Sequence, residues 1–387
     1  MLKLDTETII NIPTIKKAYL NNNIVYKKYI KLDYIEATGT QYIDTGVTLG
    51  INRGVECEIA YDEFSNTSRW GASYGGTADT PRRFAFGTQD TAYYFICGGS
   101  TLSLGTVDNN KHTIKAFINN GTLTYSIDSI TQTTSVTATA CNLSFFLFAR
   151  HTNQGVQHYV KCKIYSCKLY DNETLVRDFI PVLDSDNNVC LYDKISDKFF
   201  YNKGTGDFIA GPKKLDYIES TGTQYIKTGV YVDSNVDVEL SCQITAKGTQ
   251  HLFGVGTNGK RYLLAQQSSN NRIIFDYNTS NVRIISTIVG YTSGSHILKV
   301  INKEFFIDNV SYGVSSGATY TNPTEARIFG SDNGNGHMKL YYCKIYNNDI
   351  LVRDFIPVLD TNNIACLYDR ISETFFYNQG TGDFLYE

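Results

Sequence analysis

The sequence has no long apolar run. Its densest apolar stretch, Phe145 to Ala149, is far shorter than the ~18 residues of a membrane-spanning helix, which excludes insertion by that route. Charge is sparse. Asp, Glu, Lys and Arg make up 19% of the chain and the formal net charge is −3, so the global basic footprint of a nucleic-acid binder is missing. The first 31 residues hold no apolar signal core, because Lys16, Lys17, Lys27 and Lys28 interrupt it. Folding in a cytoplasm is the expectation. Nine cysteines is an odd number, and spacings such as Cys162 to Cys167 are not zinc-like, so free thiols are expected. A phosphate-binding glycine loop is absent too: Gly204-Thr-Gly206 is followed by Asp207-Phe208, not by Lys and a helix. Proline and methionine are scarce, and no segment carries a 3.6-residue apolar stripe.

What the chain does have is tyrosine (29) and glycine (31), a strand-and-turn composition. It also repeats itself. Lys31-Leu-Asp-Tyr-Ile-Glu-Ala-Thr-Gly-Thr-Gln-Tyr-Ile43 returns at Lys214 to Ile226 with one change. Val176 to Asp184 returns unchanged at Val352 to Asp360, and Tyr192 to Phe208 returns nearly unchanged at Tyr368 to Phe384. Three segments follow: residues 1–30, module 1 at 31–208 and module 2 at 214–384, joined by a short linker around Ile209 to Lys213. Modules of this size bury enough surface to need no staple. Matching the copies sets Cys162 against Met338 and Cys57 against Val238, the behaviour of apolar core positions.

Period-two alternation is widespread. Tyr165, Cys167 and Leu169 share one strand face, as do Tyr341, Cys343 and Ile345. Asn120-Gly121 between His112–Asn119 and Leu123–Ile127 is a hairpin signal. Many short strands with turns between them predict β-sandwiches. The hairpin His112–Asn119 with Tyr125–Asp128, its counterpart His296–Asn302 with Phe306–Asp308, and the closing Cys343–Leu351 are similar to laminin-G-like, concanavalin A-like jelly rolls. The opening Tyr-Ile-Glu-x-Thr-Gly-Thr-Gln-Tyr-Ile resembles modules in structural proteins of phages of gut bacteria and in surface proteins of their hosts. The resemblance implies an all-β chain of two tandem antiparallel jelly-roll sandwiches. Thr14–Leu20 and Ile24–Tyr29 around Asn21-Asn22-Asn23 resemble the short hairpin that starts many phage fibre subunits. Two strands cannot stand alone in water. They either extend module 1 or form an assembly anchor through Ile15, Ala18, Leu20, Ile24 and Val25.

Chemistry is harder to find. A glycosidase needs two carboxyl groups flanking one sugar bond. Glu56-Cys-Glu58 and, in the second copy, Asp237-Val-Glu239 share strand faces, but the third acid of known hydrolases of this fold is missing. The six histidines lack a nucleophile motif. Asp332-Asn-Gly-Asn-Gly336 is rich in oxygen donors suited to calcium, yet its counterpart Arg150–Gly155 is not, so no metal or cofactor is assigned. A glycan surface would mix aromatic and polar groups. Trp70, Tyr74, Arg82, Arg83, Tyr93 and Tyr94 cluster where module 1 diverges most, and Arg261, Tyr262 and Gln266 occupy the same region of module 2. The combined expectation is a non-enzymatic phage virion protein, a head fibre, decoration or tail-adhesion subunit. It would be displayed on the virion surface after synthesis in the host cytoplasm. Its partners would be capsid or fibre proteins, its own copies in a dimer or trimer, and host-surface glycans. The alternatives are a bacterial surface lectin or adhesin and, third, a polysaccharide hydrolase.

Overall fold

The computed structural model describes residues 17–20, 23–27, 29–64, 69–72, 80–89, 91–257, 259–320 and 324–387. Among them the only helical turns are two short 3-10 segments, Thr80–Arg82 and Gly290–Thr292; everything else regular is strand. The chain separates into two compact units between Gly211 and Pro212.

In the first unit the larger sheet runs, in spatial order, Ile130–Ser135, Thr122–Ile127, His112–Asn119, Arg53–Tyr61, Lys161–Asp171, Thr174–Leu183, Val189–Asp193 and Lys198–Phe200. Every neighbouring pair is antiparallel. Arg53–Tyr61 sits between strands that lie about 55 and 105 residues further along the chain, a long-range crossover of jelly-roll type. The facing sheet runs Ser100–Leu104, Ala92–Cys97, Phe84–Gln89, Arg69–Ala72, Ser144–Leu147 and Ile43–Thr48. The second unit repeats the plan. Val310–Val314, Glu304–Ile307, Ser295–Ile301, Val236–Ile244, His337–Asn347, Ile350–Leu359, Ala365–Asp369 and Thr374–Phe376 face a five-stranded sheet. The architecture is therefore two tandem antiparallel jelly-roll sandwiches, as the resemblance implied.

Alternation decides which residues make each core. In Val236–Ile244 every second side chain is buried, Val236, Val238, Leu240, Cys242 and Ile244, while Asp237, Glu239, Ser241 and Gln243 point outward. All nine cysteines are buried and free. The hairpin turn at Asn120-Gly121 has φ of +48° and +76°, the left-handed pair of a type I′ turn. Asn302-Lys303 makes the same turn at +49° and +67° without a glycine.

The opening and closing repeat motifs hold each module closed. Gln41 Oε1 accepts the Thr38 N–H at 2.9 Å, and its Nε2 donates to the Asp207 carbonyl at 2.9 Å. Thr40 Oγ1 donates to the Thr205 carbonyl at 2.7 Å, and Asn202 Oδ1 accepts the Tyr42 N–H at 3.1 Å. Gln224, Thr223 and Asn378 repeat all of these contacts in module 2. A Cβ at Gly204 would run into the Thr40 carbonyl, which is why the closing loop needs glycine there. Phe208 and Phe384 then plug the seam against Phe148 and Phe329, with ring centroids 4.8 Å apart in both copies. The opening and closing motifs are thus each other's binding partners.

The module edges shift from the sequence expectation. Ile209–Ala210 pairs with Ile35–Thr38 and Lys213–Lys214 pairs with Ile350–Leu359, so most of the expected linker is strand. At the front, Lys17–Leu20 and Asn23–Lys27 form an antiparallel pair with each other. Ile15 lies outside the described residues, as do the side chains of Ala18, Leu20, Ile24 and Val25. Residues 29 and 30, placed above in the N-terminal segment, belong to module 1. The Tyr29 ring packs 4.6 Å from Tyr192, and Ile30–Lys31 adds a strand beside Leu183. The reason is a small apolar cluster on the sheet's outer face, Val182, Cys190 and Tyr192, that needs a cover.

Candidate ligand-binding site

The aromatic and polar surface expected from the sequence is not assembled. Trp70 is fully buried, donates Nε1 to the Tyr61 hydroxyl at 2.8 Å and packs on Phe86 and Phe145. Tyr93 is buried beside His112. Tyr262 is buried and donates to the Val236 carbonyl at 3.0 Å. Gln266 is buried, its amide held by the carbonyls of Ala246 and Gly248. These four cannot touch a surface glycan. A polar tip on a large ring is as useful for pairing a buried carbonyl as for wetting a surface. Arg261 is half-buried and shares the Asp276 carboxylate with Arg283, at 3.0 and 2.6 Å. Arg82 is exposed, Arg83 and Tyr94 are half-buried, and Tyr74 lies outside the described residues.

The acidic loop of module 2 is turned inward. Asp332 accepts the Gly256 N–H at 2.6 Å and the Thr257 hydroxyl, and Asn333 Nδ2 donates to the Gly256 carbonyl at 3.0 Å. Among the described residues no group of three or more His, Cys, Asp or Glu is placed to hold a metal ion.

The outer face of the larger sheet is more informative. In module 1, Glu56 lies 3.6 Å from Lys115 and 3.7 Å from Lys168. Glu58 lies 3.3 Å from Lys111 and accepts from Ser166 at 3.2 Å. In module 2, Glu239 pairs with Lys299 at 2.9 Å and accepts the Tyr342 hydroxyl at 2.8 Å. Burial would raise the Glu239 pKa, but the hydrogen bonds from Lys299 and Tyr342 outweigh it and the net shift is downward.

Strand register corrects the copy-to-copy match made from sequence. Cys57 opposes Cys167, and Leu240 opposes Cys343. Cys57 therefore corresponds to Leu240, not Val238. Glu56 corresponds to Glu239, Glu58 to Ser241 and Gly54 to Asp237. The earlier match was two residues out, and in a strand a two-residue slip keeps every side chain on its face, so the pattern could not reveal it.

With the register right, one difference stands out. In module 1 the Phe117 ring lies directly on Gly54, leaving no room for a Cβ, and packs against Tyr170 at 5.2 Å. In module 2 the same three places hold Asp237, Ile301 and Tyr346. Isoleucine is too short to cover the site, and a cleft of about 240 Å³ opens there, lined by Asp237, Glu239, Lys299, Ile301, Tyr346 and Asp349. Asp237 accepts the Asn302 N–H at 2.9 Å. Its carboxyl pKa is pushed up, mainly by burial and further by Asp349, against the pull of that hydrogen bond. Ile301 remains 44% exposed at the rim. The cleft was missed from sequence; the Gly54/Asp237 and Phe117/Ile301 exchanges were the available signal.

No family model matches the sequence, and no curated protein matches it. Among solved structures, domains LG4-5 of the mouse laminin alpha1 chain are similar, with 12% identity over 84% of this chain and 92% of that one and a TM-score of 0.32. The LG1-3 region of the laminin alpha2 chain is similar at 12% identity over 87% of this chain and 67% of that one, again with a TM-score of 0.32.

Proposed function

We propose that the chain is a non-enzymatic binding and assembly protein, and more specifically a structural component of a phage virion: a head fibre, decoration or tail-adhesion subunit. The observation that carries the non-catalytic part is the state of the outward carboxylates. Of the four acids that the sequence offered, Asp237 alone has a raised pKa and, among the described residues, no lysine beside it; Glu56, Glu58 and Glu239 are each engaged by lysine ammonium groups. A glycosidase acid must instead hold its proton near neutral pH, with a second carboxyl group across the scissile bond. The opening and closing repeat motifs are occupied in closing the modules. What distinguishes the copies is a cleft, which suits a binding role on a rigid scaffold.

The virion reading is supported by the resemblance of the opening motif and leading hairpin to phage structural modules. The hairpin Lys17–Leu20/Asn23–Lys27 pairs only with itself among the described residues, so it suits docking to a capsid or fibre partner or to further copies of the chain. Two experiments test the reading. Mass spectrometry of purified virions should find the chain; its recovery only in a bacterial envelope fraction would favour a surface adhesin. Deleting residues 1–28, which keeps Tyr29, should leave the melting temperature within a few degrees while abolishing incorporation or oligomerisation. Release of reducing ends from bacterial polysaccharides, lost on Glu56→Gln, would make the hydrolase reading primary.

A further inference from the structure

The copies of the outer sheet face differ in shape and in charge. In module 1 the position is sealed by hydrocarbon, Phe117 over Gly54 beside Tyr170. In module 2 it is an open cleft with one aromatic wall, Tyr346, one aliphatic rim residue, Ile301, and three carboxylates, Asp237, Glu239 and Asp349. Lys299 neutralises Glu239. Asp237 and Asp349 have no cationic partner among the described residues, and they sit close enough to repel each other. The space left for a ligand is therefore negatively charged on one side and apolar on the other.

We propose that this cleft is a ligand site of module 2 for a single saccharide ring bearing a protonated amine. Its volume of about 240 Å³ lies just below the usual range for drug-sized ligands, so one ring fills it and any further units of a glycan would lie outside it. The C–H face of the ring packs on Tyr346 and Ile301. The ammonium group lies between Asp237 and Asp349, where it relieves their repulsion; the half-burial of Asp237 strengthens its attraction relative to open water. Ring hydroxyls donate to Glu239 or accept from Lys299. The site is specific to module 2 because restoring the Gly and Phe of module 1 would fill it. This inference rests on the non-catalytic binding role proposed above and names the ligand class.

The test is calorimetric titration of the full chain with D-glucosamine, N-acetyl-D-glucosamine, D-glucose and Nα-acetyl-lysine methylamide. Glucosamine should bind once per chain, and the two uncharged sugars at least tenfold more weakly. Asp237→Asn keeps the acceptor for Asn302 and should weaken glucosamine at least tenfold. Asp237→Gly combined with Ile301→Phe rebuilds the arrangement that module 1 tolerates and should abolish binding with the fold intact. Equal binding by wild type and this double variant overturns the site. Equal or tighter binding of the lysine amide overturns the saccharide in favour of a protein side chain. If a glycan array shows binding that the double variant retains, the wider binding role stands and this cleft is not its site.

Discussion

Replacing Gln224 by leucine should unfasten module 2 and leave module 1 untouched. Gln224 is 2% exposed. Its Oε1 accepts the Thr221 N–H and its Nε2 donates to the Asp383 carbonyl, both at 2.9 Å. Leucine is apolar, branches one bond earlier and carries neither group. Two backbone groups at the seam between the opening strand and the closing loop would lose their partners, at about 1–3 kcal/mol each, or about 2–6 kcal/mol together. For a module of this size each kcal/mol lowers the melting temperature by about 2–4 °C, so a fall of at least ~4 °C is expected. The protein supplies its own reporter. Trp70 is the single tryptophan and is buried in the core of module 1. Tryptophan fluorescence therefore follows module 1 alone, and far-ultraviolet circular dichroism follows both. Gln224→Leu should shift the circular-dichroism transition without moving the fluorescence transition. Gln41→Leu, the same change in module 1, should shift fluorescence. A loss below ~1 °C on either substitution would mean that the repeated clasp does not hold the modules closed. Equal movement of both signals would refute the independence of the two cores.

Two other outcomes are expected. His112 sits between Asp128 and Asp108, at 2.6 and 2.8 Å, with the Tyr93 ring beside it. Burial acts to lower its pKa, but the two carboxylates outweigh burial and raise it. The charged ring's stabilisation is full below the unfolded value near 6.5 and is lost as pH climbs through the raised folded value. The stability gap between wild type and His112→Asn, read from Trp70 fluorescence, should narrow from pH 6 to pH 8; a constant or widening gap would refute it. Burial pushes the thiols of Cys97, Cys190, Cys242 and Cys366 up to about 12. A thiol reagent at pH 8 should therefore modify none of the nine cysteines in the native protein and all of them in denaturant. An intact mass short by two hydrogens per pair would show disulfides instead.

The organisation of the chain was legible because it rests on local rules applied twice. A repeat of Lys31–Ile43 at Lys214–Ile226 requires two modules. Alternation in Val236–Ile244 requires a strand with one wet and one dry face. Asn120-Gly121 needs nothing beyond its own dihedral preferences to make a hairpin. Cysteines in apolar alternation were readable as core for the same reason. The candidate site was not legible, and three of its failures share a cause. Trp70, Tyr93 and Tyr262 carry a polar tip on an apolar ring, and whether that tip meets water or a buried partner depends on what the opposite sheet offers. The partners of Gln41 in the closing loop lie 166 residues away. The cleft depends on three strands meeting in one register, so that Phe117 falls on Gly54 in one module while Ile301 falls short over Asp237 in the other. Period-two patterning is blind to a slip of two residues; only hydrogen-bonded pairing between strands distant in sequence tells one such register from the next.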